Sequence, residues 1–174
     1  MVGDSRIDPW SSQQSTDYER ITNNFGLSKI DISKIPNPNL LHRRGIIFAH
    51  RDLDTILGRI NLGEDFGVLT GLMPSGKMHL GHSMVINQVK WFQDQGGDVT
   101  VTVADLEALA TRNVSLEEGR KIALSEYINN YAAMGLDPEK TNIYFQSMRP
   151  AVQRLGFTLG QKTNISEFEA IYGF

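Results

Sequence analysis

The chain of 174 residues contains no cysteine, which excludes a disulfide framework and any zinc or iron–sulfur site built on thiolates. It also lacks long hydrophobic runs, because no stretch approaches the about 18 apolar residues that mark a transmembrane helix. Residues 1–6 show no apolar core of a signal peptide. The sequence therefore predicts a cytoplasmic protein without a membrane segment.

An excess of basic charge is missing as well. The chain has 17 Lys and Arg against 20 Asp and Glu, so its formal net charge is −3. It is therefore not built as a non-specific nucleic-acid binder, and any contact with RNA would be local. A hydrophobic content of 40% is enough for one domain with an N-terminal attachment.

The N-terminal third is interpreted as an attachment to that domain. Residues 1–16 are polar and are expected to be extended or disordered. Thr16 or Asp17 can cap a short helix. The Pro36–Asn37–Pro38 loop separates this helix from later elements, and the apolar spacing over residues 52–60 predicts an amphipathic helix.

Residues 66–146 alternate between strand-like and helix-like patterns. In chain order the patterns predict a strand over 66–70, a helix from about 79 to Gly96–Gly97, a strand over 99–103, a helix from 115 to about 135, and a strand over 142–146. This order predicts an α/β fold with a parallel half-Rossmann sheet, whose ligand crevice lies at the carboxyl ends of the strands. Gly71, Asp105 and Gln146 would emerge at that edge.

The segment 70–82, with the sequence Thr-Gly-Leu-Met-Pro-Ser-Gly-Lys-Met-His-Leu-Gly-His, joins the first of these strands to its helix. Unpaired N–H groups and the helix dipole at such a junction suit a phosphate. His79 and His82 share a helical face and could donate hydrogen bonds to phosphate oxygens, and Gly81 leaves room for a nucleoside. The segment predicts a nucleotide site.

Two other interpretations of the histidine pair are weaker. Histidines three residues apart are often surface or core side chains, but here they open a helix after a glycine-containing loop. They could also hold zinc, yet the chain lacks cysteine, and Asp65 and Asp94 flank the segment at a distance.

Further candidates have both a functional and a structural interpretation. Asp105 and Glu107 could bind an amino group or ribose hydroxyl, or Asp105 could cap its own loop. Lys77 could neutralise a phosphate or remain solvated, and Gln146 could reach substrate or end its strand. Arg43–Arg44 could meet RNA phosphate or a partner carboxylate, or form weak surface pairs. The remaining candidates, Trp91, Tyr127, Tyr131, His42 and His50, are interpreted as structural.

Residues 74–82 resemble the Pro…His-x-Gly-His signature of class I aminoacyl-tRNA synthetases, a signature that cytidylyltransferases share. Residues 17–26 and 41–52, the latter containing Arg-Arg-Gly, resemble the N-terminal extension of archaeal and eukaryotic tryptophanyl-tRNA synthetases. Residues 103–108 and 171–174 resemble the same enzymes. The sequence is identified as similar to the N-terminal part of that family.

The resemblance implies a Rossmann-like fold of the HUP type, with residues 1–60 as the extension and 61–174 as the first half of the catalytic domain. It implies activation of tryptophan with ATP and Mg²⁺, transfer to tRNA(Trp), and a homodimer for the longer protein. A Lys-Met-Ser-Lys-type loop is absent from the sequence, so the chain as given is not expected to complete catalysis. A tyrosyl enzyme and a non-catalytic synthetase-derived module remain alternatives.

The resemblance also assigns site residues. His79 and His82 would be catalytic and hold the phosphates and ribose. Leu69 and Thr102 stand where many of these enzymes have an aromatic residue and a glutamine, although an archaeal subgroup resembles this chain in its Ala-Asp-Leu-Glu run. The predicted nucleotide-binding residues are Gly71, Met73, Pro74, Ser75, Gly76, Lys77, His79, Gly81 and His82, and the predicted amino-acid-binding residues are Leu69, Thr102, Asp105, Glu107 and Gln146.

Overall fold

A computed structural model describes residues 18–166. The chain divides into two compact units, one formed by residues 28–150 and the other by the described parts of 1–27 and 151–174. The expectations for residues 1–17 and for 171–174 lie outside the described residues. The predicted domain boundary at residue 60 stays a prediction.

The first part of the larger unit is a small antiparallel sheet followed by a helix. Ser28 pairs with His50 in this sheet, and Gly63 ends the helix with a φ of 67°, in the left-handed region that favours glycine. The helix predicted over residues 52–60 is confirmed. The elements are β1 (Ser28–Lys29), a 3₁₀ turn (Ile32–Lys34), α2 (Leu40–Arg43), β2 (Ala49–His50) and α3 (Leu53–Leu62), and they follow α1 (Tyr18–Asn24) of the other unit.

The second part is the predicted parallel sheet. Its three strands are β3 (Gly67–Leu72), β4 (Asp98–Val103) and β5 (Thr141–Phe145), in the order β3-β4-β5. Val99, Val101 and Val103 alternate with threonines along β4, so the valines are buried on one face. The α/β, Rossmann-like prediction is confirmed, and the carboxyl ends of all three strands share one edge of the sheet.

The helices α4 (Leu80–Asp94), α5 (Asp105–Arg112), α6 (Leu116–Ile122) and α7 (Asn129–Ala133) connect these strands. Ile86 and Val89 of α4 pack with the β4 valines in the main core. Glycine is required at Gly97, because a Cβ there would lie 2.6 Å from the Phe66 ring and 2.8 Å from Val68. A second hydrophobic cluster joins Trp91 of α4 to Ile35 and Leu57, so α4 packs against both parts of the larger unit.

The helix predicted from residue 115 to about 135 differs from a regular α-helix in its middle. Residues Ala123–Ile128 form a π-helix between α6 and α7. Ala123, Tyr127 and Tyr131 are buried, and their spacing of four residues places them on one face of the helix.

Two short 3₁₀ turns, Pro138–Lys140 and Gln146–Met148, flank β5, and α8 (Pro150–Gly160) follows. Taken by itself, α8 has no buried residue and exposes Leu155 and Phe157. Within residues 18–166, no helix combines the length and apolar character needed to cross a membrane.

Candidate functional site

The loop between β3 and α4 is anchored to α5 and α6. Pro74 is fully buried, and a Cβ added to Gly119 of α6 would lie 3.4 Å from its Cγ, so glycine permits this contact. The Thr111 hydroxyl of α5 donates to the Met73 sulfur at 3.8 Å. Ser75 donates its N–H to the Met73 carbonyl at 2.9 Å, so this N–H is used inside the loop. The anchored loop leaves Ser75, Gly76 and Lys77 exposed at the carboxyl edge of the sheet.

The two histidines form the N-terminus of α4. His79 is the N-cap in extended conformation, and its backbone N–H donates to Nδ1 of His82 at 3.2 Å. The two ring centroids lie 3.9 Å apart. Because Nδ1 of His82 accepts this bond, the neutral ring carries its proton on Nε2. His82 is therefore oriented as a hydrogen-bond donor through Nε2.

The surroundings of His82 favour its neutral form. Burial, and then the neighbouring His79, lower its pKa below the ordinary value of 6.5. The edge of the Tyr127 ring packs against His82, with centroids 5.2 Å apart at 90°. The geometry thus makes His82 a neutral hydrogen-bond donor that is fixed by packing.

Gly81 has a local role in the position of His79. A Cβ at Gly81 would lie 3.1 Å from Cε1 and 3.2 Å from Nδ1 of His79, which is tighter than ordinary van der Waals contact. The absence of a side chain at residue 81 therefore lets the His79 ring lie over the first turn. The predicted room for a nucleoside at the same residue stays a prediction.

Leu69 and Thr102 lie on the sheet face opposite the valine core. Gly71 pairs with Thr102 and Leu69 with Thr100, so Leu69, Gly71 and Thr102 share this face at adjacent positions. Leu69 is 73% exposed. The Thr102 hydroxyl is buried and has no hydrogen-bond partner among the residues that the structure describes. The face thus offers an apolar side chain beside a hydroxyl that can still form a hydrogen bond.

Asp105 is directed into the protein. It is 2% exposed, its Oδ1 accepts N–H bonds from Leu106 and Ser147 at 3.0 Å each, and its Oδ2 accepts the Ser147 hydroxyl. The carboxylate therefore joins the start of α5 to the 3₁₀ turn that Gln146 begins. Glu107, two residues further, is exposed. The binding roles of Asp105, Glu107 and Gln146 stay predictions, and the geometry shows that Asp105 holds the turn carrying Gln146.

The structure thus gathers the loop and both histidines at one strand end and the acidic residues with Gln146 at the next two. Sequence reasoning placed Tyr127 in the core but missed its contact with His82, because the two residues lie far apart in the sequence. The helical repeat of Ala123, Tyr127 and Tyr131 at four-residue spacing was the available signal. Among residues 18–166, no group of three or more His, Asp or Glu side chains is arranged to hold a metal ion.

The sequence of the chain is similar to known protein sequences. Residues 61–174 match the family model described as tRNA synthetases class I (W and Y). The chain is 44% identical to the tryptophan–tRNA ligase of Methanosarcina acetivorans, covering 98% of this chain and 39% of that protein. It is 42% identical to that of Methanocaldococcus jannaschii, covering 97% and 46%.

Solved structures show the same similarity. The tryptophanyl-tRNA synthetase of Aeropyrum pernix aligns with a TM-score of 0.81 and 43% identity, over 97% of this chain and 48% of that one. That of Encephalitozoon cuniculi, bound to tryptophan, aligns with a TM-score of 0.78 and 27% identity, over 91% and 50%. The chain spans less than half the length of the relatives it matches in sequence. The match across residues 61–174 places the chain in the class I tRNA synthetase family of the W and Y type.

Proposed function

We propose that the chain is the ATP- and amino-acid-binding portion of a tryptophan–tRNA ligase. The observation that carries the proposal is the start of α4, where the cap from His79 orients Nε2–H of His82 beside an exposed loop at the carboxyl edge of a parallel sheet. Ligands of open α/β sheets bind at this edge, and helix N-termini suit phosphates. The family implies the use of ATP, and the relatives named above implicate tryptophan.

The proposed reaction has two displacements. A tryptophan carboxylate oxygen attacks the α-phosphorus of ATP, and the bond to pyrophosphate breaks, which gives tryptophanyl-adenylate. A hydroxyl at the 3′ end of tRNA(Trp) then attacks the acyl carbon, and AMP leaves. In the first step His82 donates to a phosphoryl oxygen that gains negative charge, so its neutral N–H stabilises the transition state without a change of protonation. Mg²⁺ is proposed to enter bound to the ATP phosphates.

The proposed amino-acid pocket is the exposed sheet face. Thr102 supplies a hydroxyl for a polar group of the substrate, and Leu69 supplies apolar contact. Gln146 and Glu107 are proposed to reach the amino end of the substrate. Asp105 is proposed to act by holding the Gln146 turn. The whole protein is proposed to be a cytoplasmic homodimer.

ATP–pyrophosphate exchange tests this function in the protein that carries the sequence, with tryptophan and tyrosine as parallel substrates. Exchange that depends on tryptophan, with kcat/KM at least about 100-fold above tyrosine, is expected. A preference for tyrosine would favour the tyrosyl enzyme instead. ATP binding without exchange, restored by adding a separately produced C-terminal half of a relative, would identify a module that needs a second polypeptide.

A further inference from the structure

Positive charge in the larger unit is concentrated in residues 28–51. This segment contains five Lys or Arg residues and one acidic residue, a formal charge of +4, although the whole chain carries −3. The pairing of Ser28 with His50 joins the two ends of the segment, so its cations belong to one closed loop. The basic residues are Lys29, Lys34, Arg43, Arg44 and Arg51. The chain therefore combines a local basic surface with an acidic remainder.

Two of these cations project from a rigid turn, residues 40–46, which we name the α2 corner. The Asn39 side chain caps α2 by accepting the His42 N–H at 3.1 Å. Gly45, with a φ of 65°, ends the helix, and the Ile46 N–H donates to the Leu41 carbonyl at 3.0 Å. Arg43 and Arg44 are thus held on a short helix closed at both ends.

Residues that directly precede the α2 corner bind it to α4, the helix that follows the exposed loop of the candidate site. The Trp91 indole N–H donates to the carbonyls of Pro36 and Asn37 at 3.0 and 3.1 Å, and the Asn39 side chain donates to the Asn87 carbonyl at 3.3 Å. With a rise of about 1.5 Å per residue, these anchors lie about 10–17 Å along α4 from its first turn. The arginines therefore keep a constant distance from the nucleotide end of the helix.

Both arginine side chains are available to a ligand. Arg43 and Arg44 are exposed, and Arg43 donates to the Pro38 carbonyl. No carboxylate of residues 18–166 forms an ion pair with either guanidinium. Adjacent guanidinium groups suit phosphate oxygens, which they bind with charge-assisted, geometrically matched hydrogen bonds.

We propose that the α2 corner binds the phosphate backbone of an RNA whose 3′ end enters the site at the start of α4. The proposal rests on the proposed function and names the surface that would take the RNA partner. An acidic protein segment carries negative charge, as the RNA phosphate backbone does. The corner is held against α4, and the N-terminus of α4 is the proposed nucleotide site. This arrangement favours RNA over an acidic protein, because the 3′ end of the RNA must reach that site.

The test measures binding of the 174-residue chain to a tRNA(Trp) transcript over a series of salt concentrations. The double variant R43Q/R44Q removes two charges at the corner. The matched control K121Q/K140Q removes two exposed charges outside residues 28–51. We expect the corner variant to bind at least about tenfold more weakly and the slope of log K against log salt to fall by about 2. The control should change affinity by less than about threefold.

Three further measurements distinguish a loss of phosphate binding from a loss of folding or of catalytic activity. R43K/R44K keeps the charge and should retain the salt slope, and melting curves of all variants check the fold. ATP–pyrophosphate exchange needs no tRNA, so R43Q/R44Q should leave it unchanged. If exchange is absent in the protein that carries this sequence, the proposed function fails, while the RNA measurement on the 174-residue chain still stands by itself.

The proposal is overturned by any of three results. The unmodified chain could fail to bind the transcript, or the corner and control variants could weaken binding equally. Alternatively, polyglutamate at equal charge could compete as well as tRNA, which would indicate an acidic protein partner.

Discussion

Two short helix starts in this molecule are built in the same way and have different surroundings. At α2, the Asn39 N–H donates to Nδ1 of His42 at 3.3 Å. At α4, the His79 N–H donates to Nδ1 of His82 at 3.2 Å. In both cases the histidine occupies the third helical position, its ring is neutral with the proton on Nε2, and burial lowers its pKa.

The difference lies in what covers each ring. His42 is 4% exposed and packs edge-on against Trp91, with centroids 4.9 Å apart. His82 is only partly buried and follows an exposed loop at the carboxyl edge of the sheet. The cap geometry alone therefore does not identify a functional histidine. The neighbouring strand end and the loop decide which of the two can reach a ligand.

The largest expected effect comes from His82→Ala. Loss of one hydrogen-bond donor to the reacting phosphate should lower kcat for ATP–pyrophosphate exchange by about 10²–10³-fold, with little change in tryptophan affinity. His82→Asn is the sharper variant, because its Oδ1 can still accept the His79 N–H while Nε2–H is lost. It should keep the α4 cap, lose only the ring contact with Tyr127, and be as inactive as the alanine variant. Full activity of His82→Asn would show that His82 serves only as a cap.

His42→Ala should lower the stability of the fold and leave catalysis nearly unchanged. It removes a buried ring and a capping acceptor, so the free energy of unfolding should fall by about 2 kcal/mol. Denaturant titration measures this loss. Exchange activity per folded molecule should stay within about threefold of the unmodified protein. The comparison between the two caps fails if His42→Ala lowers kcat as strongly as His82→Ala while the fold is intact.

The smallest expected effect is on the pH dependence of stability. Because both histidines have lowered pKa values when folded, the unfolded chain binds more protons below about pH 6.5, and stability is lost as pH falls from that value through the folded pKa. The melting temperature should therefore be lower at pH 5.5 than at pH 7.5. His42→Asn, which cannot be protonated in this range, should show a smaller drop. An equal drop would assign the pH dependence to other groups.

Local patterns were sufficient to predict the elements that surround the candidate site. The β-branched residues over 99–103 predicted β4, and the helical repeat after His79 predicted α4, since these periods follow from backbone geometry alone. The helix α5 was missed, because its eight residues are too few for a clear repeat. The π-helix was also missed, because the residue pattern after Ser115 predicts a helix without distinguishing a π turn from an α turn.

The candidate site also combines features that the sequence predicts with features that it does not. The loop, the histidine pair and their place after a strand could be predicted, because turn and cap chemistry act between residues close in sequence. The direction of Asp105 could not, since its partner Ser147 lies 42 residues away. The burial of the Thr102 hydroxyl without a hydrogen-bond partner could not be predicted either, because it depends on the neighbouring strands.

The sequence by itself determined the α/β alternation, the loop between β3 and α4, and the resemblance to class I synthetases, which all depend on residues close together in the chain. Only the tertiary structure decided that His82 is a neutral donor packed on Tyr127, that Asp105 holds a turn, and that the α2 corner is attached to α4. Those features depend on contacts between residues far apart in sequence, whose energies come from burial and packing.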